Sequence, residues 1–184
     1  MFKVYVVMGC LMGICVMACG EGRLREHPFL AMEKAASNGD DEAQEKVGLA
    51  YLEGKGASQS FTNAKKWFDA CAGAGRPRCF YELGRLNEEG RGGPISRTKA
   101  GKLYQEGVLH GSSRSMHRLG QLHRHGDGVP KDLARGYAWF SLASDLGLKE
   151  ASDSLKGMEE ECSDTAIGKG KALADTWRKK GPEF

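Results

Sequence analysis

The chain has 184 residues, with 27 Lys+Arg against 24 Asp+Glu, a formal net charge of +3 and 8% aromatic residues. That length leaves room for one ordinary domain, and so balanced a charge excludes a general nucleic-acid binder, which carries a marked basic excess. The composition is that of a polar, soluble body, except at the amino end.

Lys3 is the only charge before Gly20, and Val4 to Ala18 is an uninterrupted apolar run. Such a run is short for a bilayer span and suits the apolar part of a secretory signal. The abrupt change to Gly20-Glu21-Gly22-Arg23 argues against a buried first helix. The run closes on Val16-Met17-Ala18-Cys19, which resembles the lipobox of bacterial lipoproteins: an apolar residue three before a cysteine and a small one directly before it. The resemblance implies that residues 1–18 are a lipoprotein signal peptide and that Cys19 becomes a lipidated amino terminus, with plain signal cleavage as the alternative. Two acyl chains make a stable anchor. Residue 20 is not Asp, which by resemblance to enterobacterial sorting places the anchor in the periplasmic face of the outer membrane. Residues 19–27 then read as a polar tether.

From Pro28 onward one arrangement recurs every 36 residues. Residues 28–39 match the second half of a unit, and Pro28 suits the first turn of a helix, where its missing amide proton costs nothing. The units that follow are 42–75, 78–111 and 114–147. In the first, Ala43, Val47 and Tyr51 mark one helical face, and Gly48 is small enough to let a neighbouring helix approach. Gly54 and Gly56 end that helix, Ser60 stands where an N-cap is wanted, and Phe61, Ala64, Trp67, Phe68 and Cys71 form a second apolar stripe. The second unit repeats this with Leu83-Gly84, Gly90, Gly92, the cap Ser96 and Tyr104. The third does so with Leu119-Gly120, Gly126, Gly128, the cap Asp132 and Trp139-Phe140. Residues 149–180 begin in register and then depart. Lys156 replaces the small glycine, Cys162 stands at the loop glycine, and Ser163 or Asp164 can cap a last helix carrying Ile167, Leu173, Ala174 and Trp177 inward. This segment reads as a closing cap. A 36-residue helical hairpin cannot bury its own apolar face, so the chain is predicted to be all-α, an array sharing one core between neighbours.

The third unit, Ser115-x3-Leu119-Gly120-x2-His123-x2-Gly126-x-Gly128-Val129 with Asp132, Trp139-x3-Ala143 and Gly147, resembles the Sel1-like repeat, a relative of the tetratricopeptide repeat. The resemblance covers residues 28–180. It implies a right-handed solenoid of antiparallel helix pairs whose first helices line a concave groove, and a scaffold that binds another protein. The second unit departs most, with Gly93-Pro94-Ile95 in its loop and Leu103 in place of the tryptophan.

Cys71 ends one second helix and Cys79 begins the next first helix, so a short turn must bring them close. Export places them where oxidation is permitted. Their spacing is similar to that in cysteine-rich Sel1-like proteins of Helicobacter, which implies a disulfide. Because the other units hold Ala, Gly or Ser at both positions, a pair of buried small residues is the alternative. Cys162 has no evident mate and reads as an inert, half-buried thiol.

No phosphate loop, nucleophile elbow or HExxH is present, so neither an enzyme nor a cofactor is expected. His123 and His125 point to different helix faces, and His123 takes the place of Tyr51, which favours packing over a metal site. By analogy with tetratricopeptide arrays, the groove should be lined by Glu42, Glu45, Leu49 and Leu52 in the first unit. The second should give Arg78, Tyr81, Arg85 and Glu88, and the third Arg114, His117, Gln121 and Arg124. Between Gly111 and Gly126 lie Arg114, Arg118 and Arg124 and no acid at all. The expected function is therefore a cell-envelope adaptor gripping a carboxylate-rich segment of an envelope or secreted protein, with Tyr81, Arg85, Arg114, His117, Gln121 and Arg124 as the contact set. Family resemblance keeps two rivals: a periplasmic immunity protein that neutralises an antibacterial phospholipase-type effector, and, lower, a hydrolase of β-lactam or cell-wall substrates.

Overall fold

The computed structural model describes residues 28–184, and the expected signal, Cys19 and the whole tether lie outside the described residues. Among the described residues there are nine helices and no strand: α1 (Pro28–Ser37), α2 (Asp41–Glu53), α3 (Phe61–Gly73), α4 (Pro77–Glu89), α5 (Arg97–Leu109), α6 (Ser113–His125), α7 (Leu133–Asp145), α8 (Lys149–Glu161) and α9 (Asp164–Lys180). The chain is all-α, with α2–α3, α4–α5 and α6–α7 stacked as antiparallel pairs and α1 covering the open side of α2.

Local chemistry sets the boundaries. Ser60, Ser96 and Asp132 each accept a hydrogen bond from the backbone N–H three residues on, as N-caps do. Gly54, Gly90 and Gly126 close α2, α4 and α6 with φ of 71°, 69° and 81°, a left-handed conformation that a side chain resists. The core then forms where a bare helix face meets a ring. A Cβ placed on Gly48, Gly84 or Gly120 would lie 2.7, 2.2 or 2.5 Å from Cε1 of Phe68, Tyr104 or Phe140 respectively. Tyr104 cannot yield, because it is fully buried and its hydroxyl donates to Glu88 at 2.8 Å. Gly84→Ala should therefore destabilise the fold by about 1–3 kcal/mol, despite alanine's better helix propensity. Urea unfolding followed by circular dichroism reads this directly, and a more stable variant would refute the close-approach account.

Cys71 and Cys79 form a disulfide, with Cα atoms 6.1 Å apart. The same junction holds Gly107 against Ser115 one unit on, where a Cβ at Gly107 would meet Ser115 Oγ at 2.4 Å, and Ala143 with Ala151, both fully buried, after that. Cys162 is a free, half-buried thiol beside the apolar cluster of Tyr137, Phe140, Met158 and Ile167.

Two features depart from the strict repeat. Trp139 is 1% exposed, whereas its equivalent Trp67 packs at the edge of the first-unit cluster and stays partly exposed. The reason is α9: it packs chiefly on α7 and barely touches α8, laying Trp177 on Trp139 with ring centroids 4.4 Å apart. Gly170 permits this, since a Cβ there would lie 2.6 Å from Tyr137 Cβ.

Candidate functional site

The first helices of successive units stand side by side, and their shared face carries a pocket of about 360 Å³ between α4, α6 and the start of α8. On α4, Tyr81 and Arg85 are one turn apart. On α6, Arg114, His117, Arg118 and Gln121 follow at helical spacing, so all four project on one side. Leu148 and Glu150 close the third wall. Five of the six residues nominated from sequence thus meet here.

Arg124, the sixth, is held apart by an ion pair with Glu161 on α8. Leu52 lies in the core at 9% exposure and not on the groove face. Arg118, Leu148 and Glu150 were not nominated. Their signals were present: Arg118 is one turn after Arg114, and Glu150 continues the register of Glu42, Arg78 and Arg114 into the fourth unit.

The acid-free stretch of α6 is not acid-free in space. Glu88 on α4 stands 3.6 Å from Arg118, and Glu161 meets Arg124. Arg85 lies 3.4 Å from Glu82 and 3.2 Å from Glu89. Towards the amino end, Arg76 and Arg78 approach Glu45 at 2.7 and 3.7 Å. Arg114 is different: among the described residues it forms no ion pair, and its guanidinium lies 5.9 Å from the centre of the Tyr81 ring. The Arg85 guanidinium is 6.0 Å from the same ring. Tyr81 is therefore an aromatic plate beside two cations, an arrangement stabilised by the ring's negative face.

Beneath it, Glu82 is 4% exposed and its Oε2 accepts no hydrogen bond. Burial pushes the Glu82 carboxyl up, while Arg85, Arg78 and Arg114 pull it back down. Arg118 donates from Nη1 to Gln121 at 2.8 Å, but its buried Nε finds no acceptor. His117 Nε2 is 2.9 Å from Ser154 Oγ, and its ring rests on Phe140. Burial, then the neighbouring Arg118, lowers its pKa, so the imidazole is neutral at pH 7 and the arginines supply the positive charge. The pocket can thus receive a carboxylate at Arg114 and an apolar or planar group against Tyr81.

Among the described residues no cluster of three metal-ligating side chains occurs, and no helix is long and apolar enough to cross a membrane. His123 is buried at the place of Tyr51, with Nδ1 3.1 Å from the carbonyl oxygen of Pro130.

Comparison with curated proteins returns no significant match. Among solved structures, the chain is similar to a Sel1 repeat protein from Oxalobacter formigenes, at 28% identity and a TM-score of 0.63 over 70% of this chain and 96% of that one. It is also similar to a protective antigen present in uropathogenic Escherichia coli strains that displays an SLR fold, at 25% identity and a TM-score of 0.70. That match covers 82% of this chain but only 32% of the antigen. Cysteine rich protein B of Helicobacter pylori shares the fold, with 19% identity and a TM-score of 0.58 over 71% of this chain and 98% of that one. The Sel1 repeat model matches residues 41–72, 79–112 and 113–148, more than half of the chain. Its units coincide with the helix pairs whose glycines and caps are described above, and the chain belongs to the Sel1 repeat family, generically one of protein-interaction scaffolds.

Proposed function

We propose that this protein is an exported adaptor of the bacterial cell envelope that grips an acidic, aromatic-containing segment of another protein in the pocket between α4, α6 and α8. The observation that carries the reading is Arg114, a cation without an ion pair among the described residues, poised beside Tyr81. Other arginines of this face are already met by Glu82, Glu88 or Glu89, so an incoming carboxylate gains most at Arg114. The Cys71–Cys79 disulfide supports an oxidising compartment, and the Cys19 sequence supports a lipid anchor facing the periplasm. Arg114 is exposed, so its reversal should leave the fold intact. Binding of a labelled peptide rich in Glu with one Tyr, read by anisotropy, is expected to weaken about tenfold in Arg114→Glu, equivalent to roughly 1.4 kcal/mol, and to weaken with added salt. Equal affinity for wild type and Arg114→Glu would remove the pocket from the function.

A further inference from the structure

Glu42, Arg78, Arg114 and Glu150 occupy one position in four successive first helices, 36 residues apart. The first two are answered inside the fold: Glu42 pairs with Lys46, and Arg78 approaches Glu45. The last two are not. Arg114 and Glu150 are both exposed, both line the same pocket, and among the described residues neither forms an ion pair. The groove therefore carries an unspent anion on α8 as well as the unspent cation on α6.

Their relative placement is fixed one turn further along both helices. His117 Nε2 lies 2.9 Å from Ser154 Oγ, which itself lies 2.9 Å from the Glu150 carbonyl oxygen. A carbonyl can only accept, so the Ser154 hydroxyl donates to it and takes the His117 Nε2–H in return. That relay ties α6 to α8 beside the two charges. Burial, then Arg118, lowers the His117 pKa, and Glu150 raises it, which puts the Glu150 carboxylate on the His117 side of α8. The other charges of the lining are engaged: Arg85 by Glu82 and Glu89, Arg118 by Glu88. Apolar surface comes from Tyr81 and Leu148, both half-buried and packed against the same core cluster. An occupant acidic throughout would satisfy Arg114 and still be repelled by Glu150, and like charges brought together across an interface are costly.

We infer that the occupant is a charge-alternating segment: an acidic residue for Arg114, an aromatic or apolar one against Tyr81 and Leu148, and a basic one for Glu150. This rests on the pocket reading proposed above and narrows it, because Glu150 becomes the residue that selects among acidic segments.

Alternate positions of an extended segment share one face, so the probes are two labelled peptides that differ at one such position. One reads Ser-Glu-Ser-Tyr-Ser-Lys-Ser and the other Ser-Glu-Ser-Tyr-Ser-Glu-Ser. Anisotropy titration of the intact protein should show the mixed peptide binding about fivefold tighter than the acidic one. Glu150 makes no side-chain contact that the fold uses, so Glu150→Gln and Glu150→Lys should fold as wild type does. Glu150→Gln should remove the preference and Glu150→Lys should reverse it, while Arg114→Glu weakens both peptides. An unchanged preference in both Glu150 variants, or none in wild type, overturns this inference and leaves the pocket reading standing as long as Arg114→Glu still weakens binding. Absence of saturable binding, or indifference of both peptides to Arg114→Glu, overturns both.

Discussion

Trp139→Ala is expected to lower the unfolding free energy by about 3–5 kcal/mol, the range for truncating a fully buried large aromatic. Trp139 lies at the meeting of α6, α7 and α9, tilted against Trp177 and stacked with Phe184, and it belongs to the largest apolar cluster among the described residues. The same change at Trp67, its counterpart two units earlier, should cost about 1–2 kcal/mol, because that side chain is already partly in water. Unfolding in urea, followed by far-ultraviolet circular dichroism since tryptophan fluorescence is itself altered, measures both. A Trp139→Ala loss no greater than that of Trp67→Ala would mean that α9 does not seal the end of the array. In a repeat protein each unit is stabilised by its neighbours, so the loss should also split the transition, with the carboxyl-terminal helices unfolding first.

The contrast between those tryptophans marks the limit of what the sequence discloses. Helix boundaries were legible because three independent signals, apolar stripe, capping residue and positive-φ glycine, share the 36-residue register. The close approaches at Gly48, Gly84 and Gly120 were legible for the same reason. What breaks the register was not. Nothing in residues 164–180 says that α9 will leave α8 and lie on α7, because that choice depends on Gly170 meeting Tyr137, a contact far apart in sequence. Groove charge was half legible. The arginines of α6 were found, but the acids that neutralise Arg118 and Arg124 come from α4 and α8, about one unit away on either side. Arg114 keeps its charge available because the residue in the same register on α8, Glu150, does not reach it within ion-pair distance.

Opening the Cys71–Cys79 bond should cost about 2–3 kcal/mol, and the array itself supplies the control that separates cross-link from packing. The bond closes a loop with a sequence separation of 8, for which the lost chain entropy corresponds to about 2.5 kcal/mol at 25 °C. Both cysteines are fully buried, so replacing them also alters contacts. Yet the same junction is filled by Gly107 with Ser115 in the next unit and by Ala143 with Ala151 in the one after. The double variants Cys71→Gly with Cys79→Ser, and Cys71→Ala with Cys79→Ala, therefore carry residue pairs this backbone accepts. If the covalent link is what matters, both variants and the reduced wild type should lose stability by similar amounts in urea unfolding. If packing of sulfur is what matters, the reduced wild type should stay close to the oxidised protein while the Gly/Ser variant falls furthest. The first outcome is expected, since the α3–α4 turn already brings the two helix ends together and leaves the small pairs of the other units well buried.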